Sequence, residues 1–174
     1  CQKAIALAMR REAVLRGNVK FVLNVGDSFY PQGVHGVTDP QWTEKWSDVY
    51  HGLPKMPWYS VYGNHDLEAT DWRCGCQVDS SGCHQVRKHL TSHRNQTWFM
   101  PAASYYVSPL PGVPLEIVAL DLNALDASSI CPWLARSHGC SALRCIQVLE
   151  QREVQAAMLL SQRISANRGG NMLV

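Results

Sequence analysis

Apolar residues recur at helical spacing near both ends of the chain and at strand spacing between them. Over residues 2–16, Ala4, Leu7, Ala8, Val14 and Leu15 fall on one stripe broken only by Arg11, which predicts a helix. Gly17-Asn18 supplies its C-cap. Residues 19–25 are β-branched and mostly apolar, and predict a buried strand. Residues 26–36 hold three glycines and Pro31, and predict a loop. Asp39-Pro40 is a helix start, with Asp as N-cap and Pro in the first turn. Trp42, Trp46, Val49 and Tyr50 then follow on one helical face, and Pro54 and Pro57 close the element. Residues 58–62 predict a second short strand, and Gly63 opens a second loop.

The middle of the chain is less regular. Residues 68–82 are polar and cysteine-bearing, and residues 84–93 predict a short helix. Residues 104–108 and 115–120 predict strands joined by a Pro/Gly turn at 109–114. Residues 123–145 form a second cysteine-bearing excursion. A long helix follows over 147–167, with Val154, Ala157, Met158 and Ile164 on one face. Gly169-Gly170 caps it, and Met172-Leu173-Val174 reads as a strand just begun. Strands alternating with loops and helices predict an α/β layered domain. Ligands in such sheets bind outside the carboxyl ends of the strands. Two polar loops hold that position: Gly26-Asp27-Ser28-Phe29-Tyr30 and Gly63-Asn64-His65-Asp66.

Composition narrows the function classes. The 174 residues are 46% hydrophobic and 17% charged, which is globular and long enough for one core. A net charge of +2 does not argue for nucleic acid as a partner. The longest apolar runs, 21–23 and 115–122, fall short of the roughly 20 residues that span a bilayer. Seven cysteines, six of them in two clusters, favour disulfides and an oxidising compartment, secreted or lysosomal in type. An N-glycosylation sequon at Asn95-Gln96-Thr97 fits the same route. Zinc held by Cys74, Cys76, Cys83 and His84 is the rival use of the first cluster. Its spacing is not that of the common structural zinc sites.

The two loops carry the candidate chemistry. Asp27 is a hard oxygen donor directly after a strand and a glycine, and Tyr30 adds a phenol three residues on. Asn64 offers an amide oxygen, His65 an imidazole and Asp66 a second carboxylate. One carboxylate can bridge two metal ions about 3.5–4 Å apart. A phenolate suits a trivalent ion, favouring iron(III) over zinc. An imidazole beside the metals can hydrogen-bond a substrate anion or protonate a leaving group. Alone, Gly-Asp or Asn-His-Asp is usually turn chemistry with a solvated side chain. The pair, each after its own strand, points to a shared site.

These motifs, with Gly33-Val34 and Pro57-Trp58-Tyr59, resemble those of the calcineurin-like metallophosphoesterases. More closely they resemble the small, tartrate-resistant type of purple acid phosphatase. Trp98-Phe99-Met100-Pro101 before Tyr105-Tyr106, and Leu120-Asp121, are further points of likeness. The resemblance spans residues 1–174 as a single domain, and is weakest in cysteine-bearing insertions at about 67–95 and 123–147. It implies a β-sandwich flanked by helices, and hydrolysis of phosphate monoesters at a binuclear centre of Fe(III) plus a divalent Fe, Zn or Mn ion. Asp27 would bridge the metals, Tyr30 would bind iron(III) and Asn64 the divalent ion. His65 would be catalytic at the phosphate, and Asp66 would serve with it by orienting the loop. Ser28 departs from the asparagine often found there. The substrate would be a small phosphomonoester or a phosphoprotein.

The family also needs an Asp-x-Gly aspartate before the first helix, and histidines after the last one, and this chain has neither. His35, His51, His84, His89, His93 and His138 read as surface residues. The expectation is a fragment truncated at both ends, inactive alone, from an active parent. The competing expectations are a weak or inactive phosphatase-like scaffold or anchor, and a phosphodiesterase on the same fold.

Overall fold

The computed structural model describes residues 1–31, 33–67, 72–91, 97–110, 112–138, 140–167 and 169–174. Asn95 and His93 lie outside the described residues, as does the His138 side chain. The first half is built on three parallel strands in the order β1 (Val22–Asn24), β2 (Trp58–Ser60) and β3 (Trp98–Phe99). Val22 pairs with Trp58, and Trp58 with Trp98. Helix α1 (Gln2–Arg16) precedes β1, and Gly17 ends it in the left-handed conformation at φ 64. Between β1 and β2 the chain makes α2, a π-helical stretch (Trp42–Ser47) running into Asp48–Tyr50. The predicted Asp39 cap is made: its carboxylate accepts from the Gln41 backbone N–H at 2.9 Å.

The second half forms another three-stranded sheet from β4 (Tyr105–Val107), β5 (Leu115–Ala119) and β6 (Asn171–Leu173). β4 and β5 are antiparallel, as the predicted turn requires, and β5 and β6 are parallel. Tyr105 ties the sheets together: its single hydroxyl hydrogen is shared between the Ser60 carbonyl at 3.0 Å and the Phe99 carbonyl at 3.2 Å. Around them lie α3 (Asn64–Leu67), α4 (Trp72–Cys76), α5 (His84–Thr91), α6 (Ala127–His138) and α7 (Ala142–Ala166). The fold is therefore mixed α/β, with small sheets.

Three expectations need correction, and the apolar stripes add a fourth finding. The strand predicted at 19–25 is only Val22–Asn24 and forms an edge of its sheet, with Leu23 and Val25 exposed. The second loop is a helical turn, α3, from Asn64 onward. Residues 123–145 are mostly helical, and α7 begins at Ala142, where Ser141 Oγ accepts from the Arg144 N–H. The apolar stripes of α1 and α7 point outward: Leu7, Val14, Leu15, Val154, Met158 and Ile164 are exposed. Both helices carry a second face that packs. Ala6 and Ala13 are the buried residues of α1, which lies against α2. In α7 the buried face is Cys145, Val148, Leu149, Arg152 and Ala156, which meets α4 and α6. Periodicity marks apolar faces; the neighbours present decide which one is covered.

The cysteines form Cys74–Cys83, Cys76–Cys140 and Cys131–Cys145, leaving Cys1 free and exposed. The zinc alternative falls, because Cys74, Cys76 and Cys83 are all oxidised. Cys76–Cys140 joins the two cysteine-bearing segments, so both close over one face of α7. The disulfides fit an oxidising compartment. Among the described residues no helix is long and apolar enough to cross a membrane.

Candidate metal and phosphate site

The two motif loops meet because both contain glycine where they touch. A Cβ on Gly26 would overlap the Gly63 backbone, and a Cβ on Gly63 would overlap both the Asp27 backbone nitrogen and its carboxylate. Gly26 also sits at φ 98, in the region that favours glycine. Asp27 follows at φ 52, the one described non-glycine residue with positive φ. Aspartate tolerates this conformation better than most side chains, and such strain concentrates at functional sites.

Each loop is anchored by a fully buried neighbour. Phe29 packs its ring 4.5 Å from that of Trp42, inside a cluster that continues through Trp98 and Trp46. Leu67 does the same for α3. The residue beside Phe29, Tyr30, is thereby turned outward and is half exposed. At the foot of the first loop, Asn24 Nδ2 donates to Ser28 Oγ at 2.8 Å and to Ser60 Oγ at 3.2 Å.

Asp66 locks the loops to each other. Its carboxylate accepts from the backbone N–H groups of Ser28 (3.1 Å), Phe29 (3.1 Å) and Gly63 (3.1 Å). It is only 3% exposed. Burial raises its pKa, and these amides counter part of that rise. Asp66 thus faces into the protein, and its part is to position the loops.

Asp27, Tyr30 and His65 come together on the outer side of this lock. The Tyr30 hydroxyl donates to Asp27 Oδ2 at 2.5 Å, and Asp27 Oδ1 accepts from the His65 backbone N–H at 3.2 Å. The Tyr30 and His65 rings lie 4.5 Å apart. His65 Nδ1 is 3.1 Å from the Pro31 carbonyl oxygen. A carbonyl can only accept, so the proton belongs on Nδ1 and Nε2 is the remaining position. Asn64 opens α3 between Gly63 and His65. Beside this group lies an open cavity of about 470 Å³, walled by Asp27, Tyr30, Lys45, Trp46, Tyr50 and Trp58 among others.

The donor set suits a hard cation. A phenol and a carboxylate in contact through one proton are two oxygen donors that a trivalent ion could draw on together. Among the described residues, however, no group of three or more His, Cys, Asp or Glu side chains is placed to hold a metal. The other histidines do not help. His35 and His51 are exposed, as expected. His84 and His89 are half-buried, and their Nδ1 atoms meet the carbonyls of Val34 (2.9 Å) and Trp98 (3.2 Å), which corrects their reading as plain surface residues.

Sequence reasoning missed the polar floor of the site. Asp121, Asn123 and Arg152 are all buried. Arg152 Nη1 is 3.6 Å from Asp121 Oδ2, and its other nitrogens donate to the Gln77 (2.6 Å) and Val78 (3.3 Å) carbonyls. Asn123 Nδ2 donates to Asp121 Oδ1 at 2.7 Å and to the Tyr62 carbonyl at 3.2 Å. Position after a strand was the one signal available for Asp121, and Arg152 sits in a helix that reads as amphipathic.

No protein-family model matches the chain. It is 33% identical over 129 residues to purple acid phosphatase 7 of Arabidopsis thaliana, covering 58% of this chain and 39% of that protein. It is 44% identical over 48 residues to human tartrate-resistant acid phosphatase type 5, covering 26% of this chain and 15% of that protein. These matches support a relationship to the purple acid phosphatases. The chain spans about two-fifths of the first relative's length and less of the second's. The solved structure described as GAP50, the anchor in the inner membrane complex of Plasmodium, covers 67% of this chain and 36% of its own at 22% identity. Its TM-score of 0.46 makes the likeness too loose to fix the fold.

Proposed function

We propose that this chain carries part of a binuclear metal site that hydrolyses phosphate monoesters, on a layered metallophosphoesterase-type sandwich. The observation that carries the reading is the contact of Asp27, Tyr30 and His65 around the apposed Gly26 and Gly63. Similarity to purple acid phosphatases supports it. Asp27 and Tyr30 would hold iron(III), Asp27 would also reach a divalent ion, and Asn64 would bind that second ion. The bound pair would supply positive charge against phosphate oxygens and activate water.

The chain's own residues orient and handle the proton. The Pro31 carbonyl holds the proton on His65 Nδ1, so Nε2 of the neutral ring is the basic nitrogen, and once protonated it would donate to a phosphate or leaving-group oxygen. Asp66 holds both loops in register. Three donors do not complete two coordination spheres, so the reading requires further ligands, and the 174 residues alone are expected to be inactive. The protein would act in a secreted or lysosomal-type compartment, in keeping with its disulfides.

The test is to titrate the chain with iron(III) and follow its visible spectrum. A tyrosinate-to-iron band that disappears in Tyr30→Phe is the expected result. A band that survives Tyr30→Phe, or iron held equally well by Asp27→Ala, would sink the metal reading and leave an inactive scaffold on the same fold.

A further inference from the structure

The peptide joining Tyr62 to Gly63 is held from both sides. Its N–H, on Gly63, donates to Asp66 Oδ2 at 3.1 Å. Its carbonyl, on Tyr62, accepts from Asn123 Nδ2 at 3.2 Å. This peptide lies one residue before Asn64, and Gly63 is the residue whose Cα lies against Asp27. Its orientation therefore sets where Asn64 and His65 stand relative to Asp27.

Asn123 reaches across 61 residues of sequence to make that bond. Its amide has two hydrogens, and both are used: one on the Tyr62 carbonyl, the other on Asp121 Oδ1 at 2.7 Å. The Asn123 backbone N–H also donates to Asp121 Oδ1, at 3.2 Å. Side-chain and backbone bonds to one oxygen fix the amide plane. Asp121 Oδ2 faces Arg152 on α7 as an ion pair at 3.6 Å, without a hydrogen bond, and Arg152 is held by the carbonyls of Gln77 and Val78 inside the Cys74–Cys83 loop. Asn123, Asp121 and Arg152 are each at least nine-tenths buried. A buried amide with both hydrogens committed cannot turn without leaving a buried acceptor unmet.

We infer that Asn123 is a positioning residue for the proposed phosphate site. It sets the Tyr62–Gly63 peptide, and through it Asn64 and His65, with Asp121 and Arg152 as its support. The inference rests on the proposed function for its consequence, but the positioning itself needs no metal. It also accounts for the first cysteine-bearing segment. The loop closed by Cys74–Cys83 grips Arg152, and so stands behind the site.

The experiment is amide hydrogen exchange on the metal-free chain, comparing the unaltered sequence with Asn123→Asp. The substitution keeps the volume, removes both amide hydrogens and sets a carboxylate against Asp121. The Gly63 and His65 amides should exchange roughly fivefold to tenfold faster, the scale of one lost hydrogen bond. Amides of β5 such as Val118 should change little. If Asn123→Asp does not fold, Asn123→Ala removes the same donor without the added charge. Unchanged exchange at Gly63 and His65, or an acceleration shared equally by β5, overturns the inference. Zinc or manganese binding to the iron-loaded protein then separates the two readings. Divalent-ion affinity should fall about tenfold in Asn123→Asp while the Tyr30 band stays. Loosened amides with divalent-ion binding unaltered would sink the metal role of Asn64, and the positioning would still stand.

Discussion

The paired loops at Asp27 and Asn64 and the cysteine-bearing layer over α7 are fastened by different means. Between the loops there is no covalent link. Two glycines allow contact, one buried carboxylate gathers three backbone amides, and Phe29 and Leu67 pin the ends. The layer made by α4, α6 and α7 relies on three disulfides and the many-armed Arg152. Hydrogen bonds to one carboxylate fix direction to within a fraction of an ångström, which a reactive constellation needs. Disulfides limit the unfolded chain and leave local geometry looser, which suits segments with little regular core of their own. The loops are built for orientation and the layer for retention.

Removing the widest covalent link should give the largest effect. Cys76–Cys140 spans 64 residues, and closing a loop of that length stabilises by about 4 kcal/mol on the chain-entropy view. The Cys76→Ala/Cys140→Ala double variant should lose roughly that amount by urea denaturation. Exchange should quicken most in α4 and α6. Equal quickening at Gly63 would break the contrast and make the two regions one unit.

Gly63→Ala should come next, at about 3 kcal/mol, because the added methyl must displace the Asp27 backbone itself. The urea midpoint should fall, and iron(III) binding should vanish along with the Tyr30 band. A stable Gly63→Ala protein that still binds iron would show that the loops are not in tight contact.

The loops were legible in the sequence and their lock was not. Glycine before Asp27 and before Asn64 announces a tight approach, because few other reasons place glycine there twice. Nothing local marks Asn123 or Arg152, whose partners lie 61 and 31 residues away. Strands β1, β2, β4, β5 and β6 were readable from β-branched and aromatic runs, while β3 at Trp98–Phe99 and the parallel pairing of the first sheet were not. The helices α1 and α7 were legible, but which of their faces is covered was not. Periodicity reports that a face is apolar, while burial depends on what packs there. In α7 that is the disulfide-bonded layer, whose pairing no spacing rule supplies.

Asp66→Ala should rank third. It strands three backbone donors, two of them on the first loop, at about 2 kcal/mol. Asp66→Asn should lose less, since one oxygen remains to accept. Thermal unfolding ranks the two. The contrast sharpens if both loosen the loops while the α6 and α7 amides keep their protection.

The smallest effect should come from the pair that joins the far end of α7 to the second sheet, away from the disulfides and from the loops. Arg163 Nε donates to Glu116 Oε1 at 2.5 Å and Nη2 to Oε2 at 3.2 Å, and the guanidinium lies 4.2 Å from the Tyr106 ring centre. The Arg163 hydrogen bonds hold the Glu116 carboxyl below its ordinary value of 4.5. A lowered folded pKa stabilises the fold above the unfolded value. That contribution is fully present at neutral pH and fades as pH falls below about 4.5, when the unfolded chain takes up the proton first. Glu116→Gln should therefore lower stability slightly at pH 7 and flatten the loss of stability between pH 4.5 and more acid values. Salt should shrink the difference, because the pair is partly open to water. Exchange at Gly63 and His65 should not respond at all. A response there would mean that damage anywhere loosens the loops, and the local lock at Asp66 and Asn123 would lose its claim to set them.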